Sequence, residues 1–383
     1  MEIRGYFDHN ATTPLCLEAR DAWVDAVDAS WLNPSSPYRL AAKVRVRLEA
    51  AREQLAAFFG CEPERVVFNS GATEANNAVF AHWATVLAAD AKIGVSPTEH
   101  PSVIEAAKLH FKDRIVWLEL DEVGSVDLVA LVSLVESGEL AAVSVMAANN
   151  ETGVVNSWRE IATVCSARGV EYHCDASQWV GKLPLAGFGL CDYVTACAHK
   201  FGGPRGVGFL LVPKGGSLRS LKGGVQEKSR RAGTEDVAGV LAMVAALEAA
   251  PIRTASAELR DGFESALCEL LPGVQCLGIG AERLWNTSAV LMHEFASERW
   301  IRGLEKQGFL LSSGSACSTG KEGPSHVLAA MGVEFTAIRR VLRMSSAHAT
   351  TADDWAALLA AIKRVYEALK SEAQRSSSKV ISI

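Results

Sequence analysis

Three stretches of the sequence place chemically useful side chains directly after, or directly before, regular elements. "HCDASQ" (173–178) offers Asp175 after a β-rich run, and "ACAHKFGGPRGVG" (196–208) ends its run with Lys200. The small residues of "SGATEANN" (70–77) come just before a helical pattern, where backbone N–H groups and the helix dipole suit a phosphate. Pyridoxal phosphate requires three such groups together: an amine for a Schiff base, a carboxylate for its pyridine nitrogen and a binding site for its phosphate.

A fourth stretch, "SSGSACSTG" (312–320), sets one thiol, Cys317, among serine, glycine, alanine and threonine. A cysteine that serves the core normally lies among large apolar residues, where it behaves as a small hydrophobe. This composition instead favours a mobile loop. The pattern therefore indicates a thiolate nucleophile that can enter a site and leave it again.

A metal site is the alternative interpretation of part of this set. His173, Asp175, Cys197 and His199 alternate along two strand-like runs, and alternate residues of a strand share one face. A metal site would leave Lys200 and the phosphate-like loop unexplained. We therefore favour the cofactor interpretation and expect no metal.

The composition excludes several classes of protein. The chain has 383 residues, of which 49% are hydrophobic and 21% charged, which is enough for a large domain and a smaller one. A net charge of −6 without a long basic run predicts no nucleic-acid partner. The sequence lacks an apolar stretch of the roughly 18 residues that a membrane span needs, and "MEIRGYFDHN" lacks a signal-peptide pattern. Nine cysteines without a CxxC pair indicate reduced thiols, so we predict a cytoplasmic protein with no membrane partner.

The order of the patterns predicts the fold class. Between about residues 60 and 250, β-rich runs alternate with helical patterns, which favours an α/β fold with a mainly parallel central sheet and flanking helices. Beyond Pro251, helical patterns flank two strand-like segments and predict a smaller C-terminal α+β domain. The last residues, 371–383, are predicted to fray. The predicted divisions are an N-terminal segment that joins the small domain (1–14), a large cofactor-binding domain (15–250), and a small domain (251–383) that carries the cysteine loop at 312–323.

Motifs along nearly the whole chain resemble those of one family. They are "FDHNATTP", "NPSS", "SGATEANN", "TEHPSV", "NNETGVV", "HCDASQWVGKLPL", "AHKFGGPRGVG", "QEKSRRAGTED", "SSGSACSTGKEGPSHVLAAMG" and "VLRMSS". In this order they resemble the cysteine desulfurases of the NifS/IscS type, which are fold-type I enzymes of the class V aminotransferase family. The resemblance implies a homodimer that uses pyridoxal 5'-phosphate to convert L-cysteine to L-alanine. The sulfur would pass through an enzyme persulfide to an acceptor protein, for iron–sulfur cluster or thio-cofactor biosynthesis.

The resemblance also implies a role for individual residues. Lys200 would bond to the cofactor and shuttle the Cα proton, Cys317 would receive the sulfur, and His100 would stack over the cofactor ring. Arg343, with Asn150, would bind the substrate carboxylate, for which a planar guanidinium is well suited. The other implied cofactor contacts are Ala72, Thr73, Cys197 and His199 at the phosphate, Asp175 at the pyridine nitrogen, Gln178 and Asn150 on the ring hydroxyl side, and Thr234 at the phosphate of the other subunit.

Some positions depart from the family pattern and leave alternatives open. Cys197 stands where relatives usually have a serine, and a thiol is a weaker donor. It is either a passive substitute or a second sulfur carrier, and its apolar strand pattern favours the passive role. The C-terminal tail lacks the extended segment with which housekeeping members dock an iron–sulfur scaffold, so the acceptor stays open.

Other functions are also compatible with this fold, since one fold hosts many activities. The chain could be a selenocysteine lyase or another class V enzyme, or a non-catalytic relative that only binds a partner. Cys317 argues against an aminotransferase, which needs no thiol. The presence of both Lys200 and Cys317 argues against a silent relative.

Overall fold

Strands and helices alternate along the chain in the order that the sequence predicts. The computed structural model describes residues 3–251, 256–313 and 324–380. The strands are β1 (Gly5–Tyr6), β2 (Val66–Asn69), β3 (Lys92–Val95), β4 (Ile115–Trp117), β5 (Leu140–Ser144), β6 (Glu171–Asp175), β7 (Tyr193–Cys197), β8 (Gly208–Leu211), β9 (Gln275–Cys276), β10 (Thr287–Leu291), β11 (Phe309–Leu310), β12 (Ser312–Ser313) and β13 (Val341–Ser345). The helices are α1 (Leu17–Ala29), α2 (Arg39–Phe59), α3 (Ala72–Val86), α4 (Pro101–Phe111), α5 (Leu128–Glu136), α6 (Trp158–Arg168), the single turn α7 (Gln226–Ser229), α8 (Val237–Ala249), α9 (Glu258–Leu270), α10 (Ser297–Glu305), α11 (His326–Ala330), α12 (Phe335–Ile338) and α13 (Ala352–Val380).

A seven-stranded sheet forms the centre of the larger part of the molecule. Its strand order is β2-β8-β7-β6-β5-β3-β4. Only β8 runs antiparallel to its neighbours, and the pairs between β7 and β4 are all parallel. Helices cover both faces, with one large apolar cluster on each side of the sheet. The predicted mainly parallel sheet with flanking helices is thus confirmed, and the carboxyl ends of its parallel strands meet along one edge.

A second, antiparallel sheet lies in the C-terminal part. Its strand order is β12-β13-β10-β9, and helices α9, α10 and α13 pack with it around a separate apolar cluster. The N-terminal segment joins this part, since β1 pairs with β11, Asp8 bridges to Ser345, and Phe7 lies in the same cluster. The domain boundaries near residues 14 and 250 stay a prediction, which this packing favours.

Local sequence explains how the elements begin and end. Helix α6 ends where Gly169 takes a left-handed conformation (φ 67°), as a C-terminal glycine predicts. Ser157 is its N-cap, but the side-chain cap bond expected from the spacing to Glu160 is not made. The predicted fray at the C-terminus is wrong as far as residue 380, because α13 continues to Val380. Among the described residues, no helix combines the length and apolar character that a membrane crossing requires.

Candidate active site

A cavity of about 450 Å³ opens at the carboxyl edge of the central sheet. The loops that follow β2, β3, β5, β6 and β7 supply most of its lining. This is the edge at which α/β proteins place their ligands. The predicted site residues that line it are Ala72, Thr73, His100, Asn150, Asp175, Gln178, Cys197, His199, Lys200 and Arg343.

One predicted site residue lies elsewhere, and another is not among the described residues. Thr234 is exposed on the segment before α8 and does not line the cavity of its own chain. Cys317 lies outside the described residues. The structure therefore brings the other predicted residues together, while the roles assigned to them stay predictions.

Lys200 lies at the end of the short turn that follows β7. Its Nζ donates to the carbonyl oxygen of Asn10 and, at 2.9 Å, to that of Ala11. Burial lowers the pKa of Lys200, and the nearby Arg343 charge lowers it further, while Cys197 and Asp175 act in the opposite direction. A lowered pKa makes the neutral amine, which is the nucleophilic form, easier to reach near neutral pH.

Asp175 ends β6 and is buried, with 5% of its surface exposed. Its Oδ1 accepts the backbone N–H of Ser177 at 2.9 Å, and its Oδ2 accepts from Nδ2 of Asn76 at 2.9 Å. A carboxylate is an acceptor only, so each bond leaves lone pairs free on the same oxygen. The carboxylate is therefore held in one orientation and can still accept from a protonated ring nitrogen.

His100 is the N-cap residue of α4. Its Nδ1 accepts the backbone N–H of Ser102 at 3.1 Å and lies 2.8 Å from the Ser102 hydroxyl. Burial lowers the pKa of His100; the charges of Lys200 and His326 lower it further, against the opposing effect of Asp175. The imidazole is thus favoured as a neutral ring at the wall of the cavity.

The start of α3 turns backbone donors toward the cavity. Its N-cap is Gly71, which has no side chain to cap the first amides of the helix. The Oγ of Ser177 is also buried without a hydrogen-bond partner. A Cβ on Gly208 would come within 2.7 Å of Gly71 Cα, so the wall there is as thin as a backbone allows. Backbone donors at a helix N-terminus of this kind fit a phosphate group.

His199 and Cys197 complete this side of the cavity. Burial, together with the charges of Lys200 and Arg205, lowers the pKa of His199 to about 4, so its ring is neutral and donates through one nitrogen only. Its Nδ1 lies 3.1 Å from the Thr12 hydroxyl. Burial raises the pKa of Cys197 to about 11, so its thiol stays protonated at neutral pH.

Arg343, on β13, is almost completely buried, with its side chain 1% exposed. One terminal nitrogen pairs with Asp8 Oδ1 at 2.6 Å, the other donates to the carbonyl oxygen of Asn150 at 3.1 Å, and Nε is buried without a partner. Asp8 thus holds the guanidinium at the cavity wall.

Asn10 makes several hydrogen bonds at the cavity, although the sequence assigned it no role. Its carbonyl oxygen accepts from Lys200 and, at 3.0 Å, from Gln178 Nε2, while its Oδ1 accepts from the buried Lys182 at 2.9 Å. Its Nδ2 donates to the Asn150 carbonyl at 3.1 Å. The motif "FDHNATTP" that contains Asn10 was noticed, but motif similarity alone assigns no contact to it.

The described residues on both sides of segment 314–323 lie next to residues that line this cavity, Arg343 and Asn150. Ser312 pairs with Arg343 across β12 and β13. Ser325, beyond the segment, donates its hydroxyl to Glu151 Oε2 at 2.6 Å. Burial raises the pKa of Glu151 to about 7, against the opposing effects of the Ser325 bond and the Arg343 charge.

The metal alternative finds no support in the part of the chain that the structure describes. No group of three or more histidine, cysteine, aspartate or glutamate side chains there is arranged to hold a metal ion. His173, one of the four candidates, is fully buried and faces the Ser144 and Thr195 hydroxyls at 2.8 and 3.4 Å.

The fold and the cavity define an enzyme class that places a lysine, an aspartate and an uncapped helix start at the edge of a parallel sheet. The chain matches the family model "Aminotransferase class-V" over residues 5–358 and belongs to that family. It is 37% identical over 357 residues to a cysteine desulfurase of Trichormus azollae, covering 90% of this chain and 88% of the relative.

Solved structures agree with the sequence relatives. A "NifS-like protein" superposes with a TM-score of 0.86 at 28% identity, covering 95% of this chain and all of the other. A structure described as "SspA in complex with cysteine" superposes with a TM-score of 0.78 at 26% identity, covering 89% of this chain and 98% of the other. The family and the fold class that the motifs predict are thereby confirmed.

Proposed function

We propose that this protein is a pyridoxal-phosphate-dependent cysteine desulfurase, which converts L-cysteine to L-alanine and keeps the sulfur as a persulfide. One observation carries the proposal: Lys200, Asp175, Arg343 and the uncapped start of α3 line the same cavity. The predicted enzyme type is confirmed by relatives that carry the name cysteine desulfurase over nearly the whole chain. L-Cysteine as the substrate is supported by these names and by the related structure with cysteine.

The residues of the cavity fit pyridoxal phosphate. Lys200 would hold it covalently, Asp175 would pair with its ring nitrogen and His100 would cover the ring. The backbone donors of the α3 start, with Thr73 and His199, would bind its phosphate. When bound, the cofactor supplies an electron sink for bonds at the substrate α-carbon.

The chain's own groups then perform three tasks. Arg343 binds the substrate carboxylate and so orients the α-carbon. Lys200, whose pKa burial lowers, would be released when the substrate amine takes its place, and as a free neutral amine it then takes a proton and returns it as an ammonium. His100, also favoured as neutral, covers the ring as an uncharged imidazole with a single N–H.

Cys317 is proposed as the sulfur acceptor. Its thiolate would attack the substrate sulfur, so that an S–S bond forms as the C–S bond breaks and the carbon is protonated to alanine. The support is that the chain enters its segment beside Arg343, at Ser312, and leaves it beside Glu151, at Ser325. The persulfide would then pass to an acceptor protein, for iron–sulfur cluster or thio-cofactor biosynthesis.

We also propose a homodimer in which Thr234 reaches the phosphate site of the partner subunit. Thr234 is exposed. Arg231, three residues before it, forms an ion pair of 3.0 Å with Glu74 in the first turn of α3. An apolar surface on and beside α1 supports an interface, because exposed large apolar side chains rarely cluster on a monomer. Its exposed members are Leu17, Trp23, Val24, Val27 and Trp31.

A cytoplasmic location is proposed from the thiols. All of the described cysteines are free, including Cys268 and Cys276, whose sulfur atoms lie 3.9 Å apart. Neighbouring thiols that stay unpaired are typical of a reducing compartment.

The test is incubation of the purified protein with L-cysteine, with measurement of alanine, sulfide and the mass of the enzyme. The wild type should form alanine and gain one sulfur atom on Cys317. Cys317→Ser should bind the cofactor but form no persulfide, and Lys200→Ala should lack the covalently bound cofactor. Cys61→Ser, outside the cavity, is the matched cysteine control and should behave as wild type. Undiminished alanine formation by Cys317→Ser without added thiol would refute the mechanism.

A further inference from the structure

Asn76 lies behind the cavity and connects Asp175 with His100, the two residues predicted to face the cofactor ring. It lies in α3, is completely buried, and is not part of the cavity lining. Its Nδ2 donates to Asp175 Oδ2 and to the Ser102 hydroxyl, each at 2.9 Å. Ser102 in turn contacts His100. One amide thus reaches the aspartate directly and the histidine through a single hydroxyl.

The orientation of the Asn76 amide follows from its neighbours. A carboxylate accepts only, so the atom that faces Asp175 must be the NH₂ group. The carbonyl oxygen then faces the Thr195 hydroxyl, which donates to it at 2.7 Å. Both protons of the Asn76 NH₂ group are thus used, the carbonyl oxygen has a donor, and the amide has one orientation.

This orientation fixes the proton of Ser102. The Ser102 oxygen accepts from Asn76, so its single proton points to the other hydrogen-bond partner, His100 Nδ1 at 2.8 Å. The backbone N–H of Ser102 donates to the same nitrogen at 3.1 Å. A nitrogen that faces two donors carries no proton itself, so the ring proton lies on Nε2.

Thr195 and His173, which lie behind Asn76, extend this series of hydrogen bonds with the same order of donors and acceptors. Thr195 donates to Asn76, so its oxygen is free to accept from His173 Nε2 at 3.4 Å. Nδ1 of His173 then accepts from the Ser144 hydroxyl at 2.8 Å. Burial lowers the pKa of His173 to about 4, so this ring is also neutral and has one donor and one acceptor nitrogen.

We infer that Asn76 and Ser102 are positioning residues that fix His100 as its Nε2–H tautomer while they hold the Asp175 carboxylate in place. His100 therefore presents a hydrogen-bond donor, and not a lone pair, on its free nitrogen. The charged or titratable groups that face it are Lys200, Asp175 and His326. The inference concerns the chain's own groups; its use in turnover rests on the proposed function.

The test reads the tautomer directly. Holoenzyme labelled with ¹⁵N-histidine is sedimented and examined by solid-state ¹⁵N NMR at pH 8, and the His100 signals are assigned by their loss in His100→Asn. Nonprotonated and protonated ring nitrogens have well separated shifts. The wild type should show a nonprotonated Nδ1 and a protonated Nε2 at His100.

Three variants distinguish the relay, meaning the hydrogen bonds from Asn76 through Ser102 to His100, from a general structural role. Ser102→Ala and Asn76→Ala should each allow a measurable fraction of the Nδ1–H tautomer, because the hydroxyl donor is lost or free to turn and only the longer backbone bond of residue 102, at 3.1 Å, still disfavours a proton on Nδ1. Ser102→Thr keeps the hydroxyl and should restore the wild-type signals. In the alanine variants, kcat for alanine formation should fall with the fraction of His100 that leaves the Nε2–H form, and KM should stay unchanged, since Arg343 binds the carboxylate.

The result that would overturn the inference is a protonated Nδ1 at His100 in the wild type, or wild-type signals in Ser102→Ala. If Asn76→Ala does not fold, the Ser102 pair decides alone. A wild-type holoenzyme with the Nε2–H pattern that forms no alanine from L-cysteine would refute the proposed reaction and leave the relay in place.

Discussion

Replacing Arg343 by alanine tests the proposed substrate site. The guanidinium would make charge-assisted hydrogen bonds to the L-cysteine carboxylate, and bonds of this kind contribute about 1.5–3 kcal/mol. Each 1.4 kcal/mol is a factor of ten, so KM for L-cysteine should rise roughly 10- to 150-fold. The fall in kcat should be smaller, because the reacting bonds lie away from the carboxylate.

The structure indicates that the variant will still fold. Asp8 loses its partner, but its side chain is 23% exposed and water can replace the guanidinium. The Asn150 carbonyl keeps a second donor, Asn10 Nδ2 at 3.1 Å. We therefore expect a loss of stability of only about 1–3 kcal/mol, the usual cost of removing one buried partner.

Steady-state alanine formation as a function of L-cysteine concentration is the assay. Arg343→Lys keeps the charge without the planar fork and should give an intermediate KM. Arg339→Ala removes an exposed arginine outside the cavity and is the matched control. An unchanged KM in Arg343→Ala, or an equal change in Arg339→Ala, would refute the assignment.

Three further predictions concern the groups around the cavity. Cys197→Ser should bind pyridoxal phosphate as tightly as wild type or more tightly, measured by equilibrium dialysis, because a hydroxyl is a stronger donor than a thiol. A persulfide detected on Cys197 of the wild type by mass spectrometry would show that the passive role is wrong. Burial raises the pKa of Glu151 to about 7. The folded state therefore binds more protons than the unfolded state between about pH 4.5 and 7, and the contribution of Glu151 to stability is lost as pH rises through this window. Glu151→Gln can still accept from Ser325, so relative to wild type it should gain up to about 3 kcal/mol in unfolding free energy from pH 5 to pH 8 by urea denaturation, and a difference that does not change with pH would contradict this. Thr234→Ala should weaken cofactor binding without changing the sedimentation coefficient, and unaltered affinity would count against the shared phosphate site.

The sequence predicts the central sheet well because its strands are short apolar runs between helical patterns. "RVVFNS", "VEYHCDA" and "DYVTACA" contain β2, β6 and β7 almost to the residue. The length of α13 was missed because the polar end of the chain carries no apolar stripe, and a helix with a well-packed start can extend into polar sequence. The antiparallel direction of β8 was not predicted either, since strand direction depends on connections and not on periodicity.

The candidate site was predicted as far as side chains of distinctive chemistry follow strands. Lys200, Asp175 and Arg343 belong to this group, and the cavity contains all three. Asn10 and Asn76 were missed because each acts through amide or backbone bonds to partners far along the chain, at a separation of 190 residues for Asn10 and Lys200. Hydrogen-bond partners of this kind are set by tertiary packing, and neither spacing nor composition reports them.

The pairing of Asp8 with Arg343 joins positions 335 residues apart. A ribosome makes the N-terminal segment first, yet β11 and β13, which hold it, are among the last strands to be made. The large sheet can form on a growing chain, and Gln178 can already bond to Asn10 there, but the pairing of the N-terminal segment with β11 and β13 must wait until those strands are made. The N-terminal segment beside Lys200 is therefore completed late in synthesis, and a nascent chain that ends before β13 has its lysine but lacks Arg343 and the pairing of Asp8 with it.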